Sequence, residues 1–209
     1  MGSGSRHDGQ WFAGARKLGF ELAIVFLGVL AAFQVDNYRD DLADRERARD
    51  IAAAIQRGLD DVIDAESRFV AQARAGRAAW DEARERGEMP APFYFRIPGS
   101  ERPPSIVFDV VAQSRPVELF DADLVFDLGY FYSEVTGVGE RYVRYAEFTE
   151  AKILPNLYRD ANAFYDPDSG ELLPEYAAHM DRLKELVSWW TLDIERARDL
   201  KKRLQPYAE

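Results

Sequence analysis

The stretch LGFELAIVFLGVLAAFQV, Leu18 to Val35, constrains this chain more than any other part of it. Within these 18 residues only Glu21 is ionisable and only Gln34 is otherwise strongly polar. A helix rises about 1.5 Å per residue, so this run with the preceding FAGA is long enough for a tilted membrane span. Residues 11–37 are therefore expected to form a transmembrane helix, with the amphipathic aromatics Trp11 and Phe12 at the interface and Arg16 and Lys17 beside them. Residues 1–10 read as a flexible tail. Two other readings compete. A cleaved signal peptide would suit the basic residues before the run and a small-residue site at Val29 and Ala31, but Glu21 lies inside the apolar stretch and the pattern continues without a break. A buried core helix would rarely be apolar on every face.

Glu21 is the most informative residue of the run. A carboxylate in hydrocarbon is costly, roughly 2.5–3.5 kcal/mol for Asp at mid-membrane, and less near an end. Glu21 either reaches the interface beside Arg16 and Lys17, or makes an intersubunit, partner or cation contact. Gly28 and Ala32, like Gly19 and Ala23, are small residues four apart, a spacing that lets helix backbones approach closely. Asp36, Asn37, Asp40 and Asp44 form a polar cluster just past the run. In an oligomer its acids would stack as rings, as cation pores use. The plainer reading is a solvated helix face offset by Arg39, Arg45 and Arg47.

The run ELAIVFLGVLAAFQVDNYRDD resembles the N-terminal signature of a group of uncharacterised bacterial single-pass membrane proteins. Glu21, Gly28, Ala32, Asp36, Asn37 and Tyr38 occupy the signature places, with Tyr38 where the family often has Trp. The resemblance covers about 16–60 and extends loosely to an aromatic segment, ELFDADLVFDLGYFYSEV. It implies a bacterial inner-membrane location and a helical domain, and it brings no activity with it. Arg16 and Lys17 lie closest to the apolar run, so the N-terminus is expected in the cytoplasm and the large domain in the periplasm.

Composition narrows what that domain, 38–209, can do. The net charge is −10, which argues against a nucleic-acid partner. There is no cysteine, which excludes disulfides, thiolate metal sites and cysteine nucleophiles. The two histidines, His7 and His179, leave little room for histidine metal clusters or a Ser-His-Asp relay. No catalytic, cofactor or metal motif stands out, so no cofactor is expected.

The expected fold is all-α: a transmembrane helix continuing into a long helix, then an antiparallel bundle with a Pro/aromatic-rich loop. Ile51, Ile55, Leu59, Val62, Phe69, Ala73 and Trp80 recur at helical spacing, and Gly87 with Pro90 and Pro92 should stop that helix. Residues 88–105 read as the loop, an aromatic flap packed on the bundle or a proline-aromatic recognition surface. A short helix is expected from Ser105 to about Ser114. Asp121 should cap another with Leu124, Leu128, Phe131 and Val135 on one face, interrupted at Gly137-Val138-Gly139. A further helix is expected over about 140–164, kinked or split at Pro155. Asp166 to Glu171 reads as a turn that only faintly resembles a calcium loop. From Pro174 to about Leu204, the residues Tyr176, Met180, Leu183, Val187, Trp190, Ile194 and Ala197 step 4-3-4-3-4-3, a heptad seam suited to packing along the 50–86 helix. His179 beside that seam reads as structural, Trp189 as core or surface contact. The basic run from Arg196 to Arg203 would complement the helix dipole at its C-terminus.

These features point to a non-enzymatic, membrane-anchored interaction, scaffold or sensor-like module, associating with itself or with an envelope partner at the lipid bilayer. The alternative is an oligomeric channel or ion-coupled component using Glu21 and the Asp36–Asp44 face.

Overall fold

The computed structural model describes residues 8–97, 119–157 and 161–208; the side chains of 8–33, 35–37 and 161 lie outside what it describes. Three long helices carry the fold: α1, Asp8–Glu85; α2, Ala122–Phe148; and α3, Pro174–Ala208. Strands are absent among the described residues apart from one isolated antiparallel bridge, Tyr165 to Leu172. The chain divides into two units, 1–47 and 48–209.

In the first unit, α1 begins at Asp8, inside the stretch expected as tail. The side chains described there, Gln34 and 38–47, are all exposed. Among the described residues no helix is long and apolar enough to cross a membrane. The transmembrane helix expected over 11–37 falls almost wholly on side chains outside that set, so the reading stays a proposal.

The second unit is a three-helix bundle. One end of its core joins Ala52, Ile55, Leu59 and Val62 of α1 to Leu124, Leu128, Phe131 and Val135 of α2 and to Ala197, Leu200 and Leu204 of α3. The other joins Val70 and Ala73 to Val138, Tyr142 and Tyr145 and to Leu183, Leu186, Trp190 and Ile194. Numbers rise together on α1 and α2 and fall on α3, so α3 runs antiparallel to both. The expected seam of α3 is buried except at Val187, which is half-buried while its neighbour Leu186 is buried. α3 also approaches α2, not only α1 as expected, and it extends to Ala208 with Pro206 inside its last turn.

α1 ends where glycine and proline require. Gly87 takes a positive φ of 79°, and Glu88 N–H donates to Ala83 O at 3.0 Å to close the last turn. The chain then runs without regular secondary structure through 88–97 as the aromatic flap. Phe95 is buried, and the Phe93 ring lies so close to Gly76 that a Cβ there would collide with it. Trp80 Nε1–H donates to Ala91 O at 3.0 Å, fixing the flap to α1. The rest of the expected 88–105 loop and the expected 105–114 helix lie outside the described residues.

Three expectations need correction. Gly137-Val138-Gly139 does not interrupt α2, because Val135, Val138 and Tyr142 are buried on one face and outweigh about 1 kcal/mol of helix propensity per glycine. The helix expected over about 140–164 is not a separate element: 140–148 belong to α2, the regular α-helix stops before the expected kink at Pro155, and Ala161–Phe164 form a 3-10 turn. α2 widens into a π-turn at Thr149–Ile153, and Pro155 sits in the 3-10 turn Leu154–Asn156 that follows. Asp121 occupies the N-cap of α2 but makes no side-chain cap bond; its backbone N–H donates to the Tyr207 hydroxyl at 3.2 Å.

The expected turn at 166–171 is present. Asp166 Oδ1 accepts from Asp168 N–H at 3.0 Å and Ser169 N–H at 2.9 Å, which holds its carboxyl below the usual range, and Gly170 takes a φ of 68°. Arg84 docks this turn on α1 by donating to Gly170 O at 2.9 Å.

Candidate functional site

The residues singled out at the membrane-proximal end divide by what is described. The side chains of Glu21, Gly28, Ala32, Asp36 and Asn37 lie outside the described residues. Asp40 and Asp44 are exposed, and Asp44 pairs with Arg47 at 3.2 Å, one turn on, as a solvated face offset by arginines would do.

The bundle itself buries polar groups that the sequence did not flag. Glu66 of α1 and Asp193 of α3 are 6% and 0% exposed. Each stands where the hydrophobic face of its helix passes from one end of the core to the other: Glu66 between Val62 and Val70, Asp193 between Trp190 and Ala197. Glu66 Oε2 and both carboxylate oxygens of Asp193 have no hydrogen-bond partner among the described residues. Burial, reinforced by repulsion from Asp193, pushes the Glu66 carboxyl up to about 9. Burial alone raises Asp193 to about 6. At neutral pH Glu66 is thus a neutral acid, and Asp193 titrates close to the physiological range. A third acid on the bundle, Glu134 of α2, is paired with Arg196 of α3.

His179 is a second buried group, fully enclosed as expected of a structural histidine. Its ring stacks on Tyr145 at 4.1 Å and on Phe148 at 4.8 Å. Nε2 lies 3.2 Å from Thr149 Oγ1, in the π-turn. The Thr149 hydroxyl donates to Tyr145 O at 3.1 Å, so it accepts from the imidazole, and the neutral ring carries its proton on Nε2. Burial and the nearby Arg182 charge lower His179 to about 4.

The tyrosines of this half serve the flap. The Tyr145 hydroxyl accepts Phe95 N–H at 3.0 Å, and the Tyr142 hydroxyl accepts Ile97 N–H at 2.6 Å. These amides lie two residues apart on the flap, and α2 supplies their acceptors one turn apart. Trp189, left open between core and surface, is half-buried under the Arg141 guanidinium, which lies 4.8 Å from its ring centre.

Two surface clefts lie between α2 and α3. One, of about 350 Å³, is lined by Arg141, Arg144, Tyr145, Arg182, Leu186 and Trp189 with Glu185. The other, of about 480 Å³, is flanked by Tyr130, Arg196 and Arg203. Neither is lined by Glu66, Asp193 or His179, so the perturbed groups do not face these spaces. Among the described residues no cluster of three or more His, Asp or Glu is placed to hold a metal ion.

The basic run near the end of α3 acts otherwise than expected. α3 continues past it, and its side chains cross to the other helices: Lys201 to Asp60 at 2.6 Å, Arg203 to Asp127 at 2.6 Å, and Arg196 to Glu134.

No protein-family model matches this chain, and no curated protein or solved structure matches it.

Proposed function

We propose that this chain is a membrane-anchored, non-enzymatic interaction or scaffold module of the bacterial envelope, which associates with itself or with an envelope partner through its helices. The observation that carries this reading is that one helix, α1, contains both the apolar stretch 18–35 and the first member of the bundle, from Ala48 to Glu85. Tyr38 and Leu42, four residues apart just past that stretch, are 64% and 45% exposed. An amphipathic aromatic at that place suits a bilayer interface. The buried carboxyls favour a structural over a catalytic role for the bundle, because general acid–base work needs a substrate within hydrogen-bond reach.

Extraction of bacterial membranes at alkaline pH tests the anchor. The full chain should stay with the membrane, and Val25→Arg with Leu27→Arg should release it; release of the unaltered chain would remove the proposal. Native mass in mild detergent tests association. A defined oligomer that Glu21→Leu reduces makes Glu21 an assembly contact, whereas a monomer in both cases rules out self-association and leaves an envelope partner.

A further inference from the structure

One of the two clefts between α2 and α3 is lined chiefly by arginines. Several other basic residues of the bundle take carboxylates: Arg77 to Asp81, Arg96 to Glu150, Lys201 to Asp60, Arg203 to Asp127. Arg141 and Arg144 of α2, three residues apart, and Arg182 of α3 line one cleft, and among the described residues none of the three is ion-paired. Glu185 is the only acid in the lining. With three guanidinium groups against one carboxylate, the lining is locally cationic in a chain of net charge −10. One of the three is held in place: the Arg141 guanidinium lies over the Trp189 ring, 4.8 Å from its centre, and Tyr145 and Leu186 are buried beneath the cleft. The charge of Arg182 also reaches inward, where it disfavours the protonated form of His179.

We propose that this cleft binds a small organic anion bearing two or more phosphate or carboxylate groups, clamped by Arg141, Arg144 and Arg182. Guanidinium forks match the oxygens of either group in a bidentate manner, which ammonium groups do not. A volume of about 350 Å³ falls within the range of small-molecule sites. The acidic balance of the chain repels anions in general, which favours occupancy at this arginine-lined cleft.

Calorimetry of the full chain in neutral detergent, titrated separately with pyrophosphate and with citrate, tests the assignment. One or both should give a saturable one-to-one isotherm that weakens with added salt. Arg144→Gln and Arg182→Gln should each weaken it at least tenfold. Both side chains are exposed, so both variants should keep the helical circular dichroism of the parent; Arg182→Lys, which retains the charge without the fork, should lie between. Arg77→Gln, on α1 and outside the cleft, should leave binding unchanged within twofold. No saturable heat with either anion overturns the proposal, as does undiminished binding by both cleft variants.

Discussion

The two ends of the bundle solve the same packing problem with different materials. The end formed by Ala52–Val62, Leu124–Val135 and Ala197–Leu204 is largely aliphatic, and its helices are tied at the surface by ion pairs from Lys201 and Arg203. The end formed by Val70, Tyr142, Tyr145 and Trp190 is aromatic. There Trp190 meets Phe69 at 5.7 Å, Phe95 at 5.9 Å and Tyr142 at 6.1 Å, and the stack continues through Tyr145 and His179 to Phe148. The difference follows from what each end must hold. Aliphatic faces suffice where three helices pack on one another. A flap outside helix and strand offers backbone N–H groups that must be satisfied, and tyrosine supplies packing area and an acceptor in one side chain.

The largest loss of stability is expected from Trp190→Ala. Removing a ring shared by all three helices and the flap should cost about 3–5 kcal/mol in denaturant unfolding. A loss under about 1 kcal/mol would mean that the aromatic stack is not the core of its end.

Glu66→Gln probes the boundary between the two ends. Because the folded carboxyl sits near 9 against an ordinary 4.5, folding holds a proton that the unfolded chain releases. The contribution of Glu66 to stability is therefore full below about pH 4.5 and is lost as pH rises towards 9. His179, lowered to about 4, works in the opposite sense: its contribution is present above 6.5 and is lost as pH falls towards 4. Comparing variant with parent isolates Glu66. The variant should gain about 4–5 kcal/mol at pH 8 and close to nothing at pH 4. A difference independent of pH would show that Glu66 is ionised in the fold.

Tyr145→Phe keeps the ring but strips the acceptor from Phe95 N–H. It should cost roughly 1–2 kcal/mol and speed amide exchange in the flap while leaving the aliphatic end protected. Equal acceleration at both ends would break the comparison.

The smallest effects come from glycine. Gly137→Ala meets open space inside α2 and should stabilise by about 0.5–1 kcal/mol, whereas Gly76→Ala collides with Phe93 and should destabilise. Melting temperatures moving the same way for both would contradict the placement of the flap.

The sequence by itself left the 88–105 loop open between a packed flap and a recognition surface, but it determined the helical class, the stop of α1, the turn at 166–171 and most of the α3 seam. Each is written in local chemistry: apolar residues at helical spacing, a glycine that takes positive φ, prolines that cannot donate, an aspartate that bonds its own turn. Only the tertiary structure decided that α2 runs through its two glycines, that it passes into a π-turn at Thr149–Ile153 before Pro155, and that Glu66 and Asp193 are inside. A carboxylate looks the same in sequence whether it faces water or a core, and it is set by what the other two helices place against it. The same holds for the cleft arginines, which stand on two helices some forty residues apart and become one cationic site only when α2 and α3 pack antiparallel.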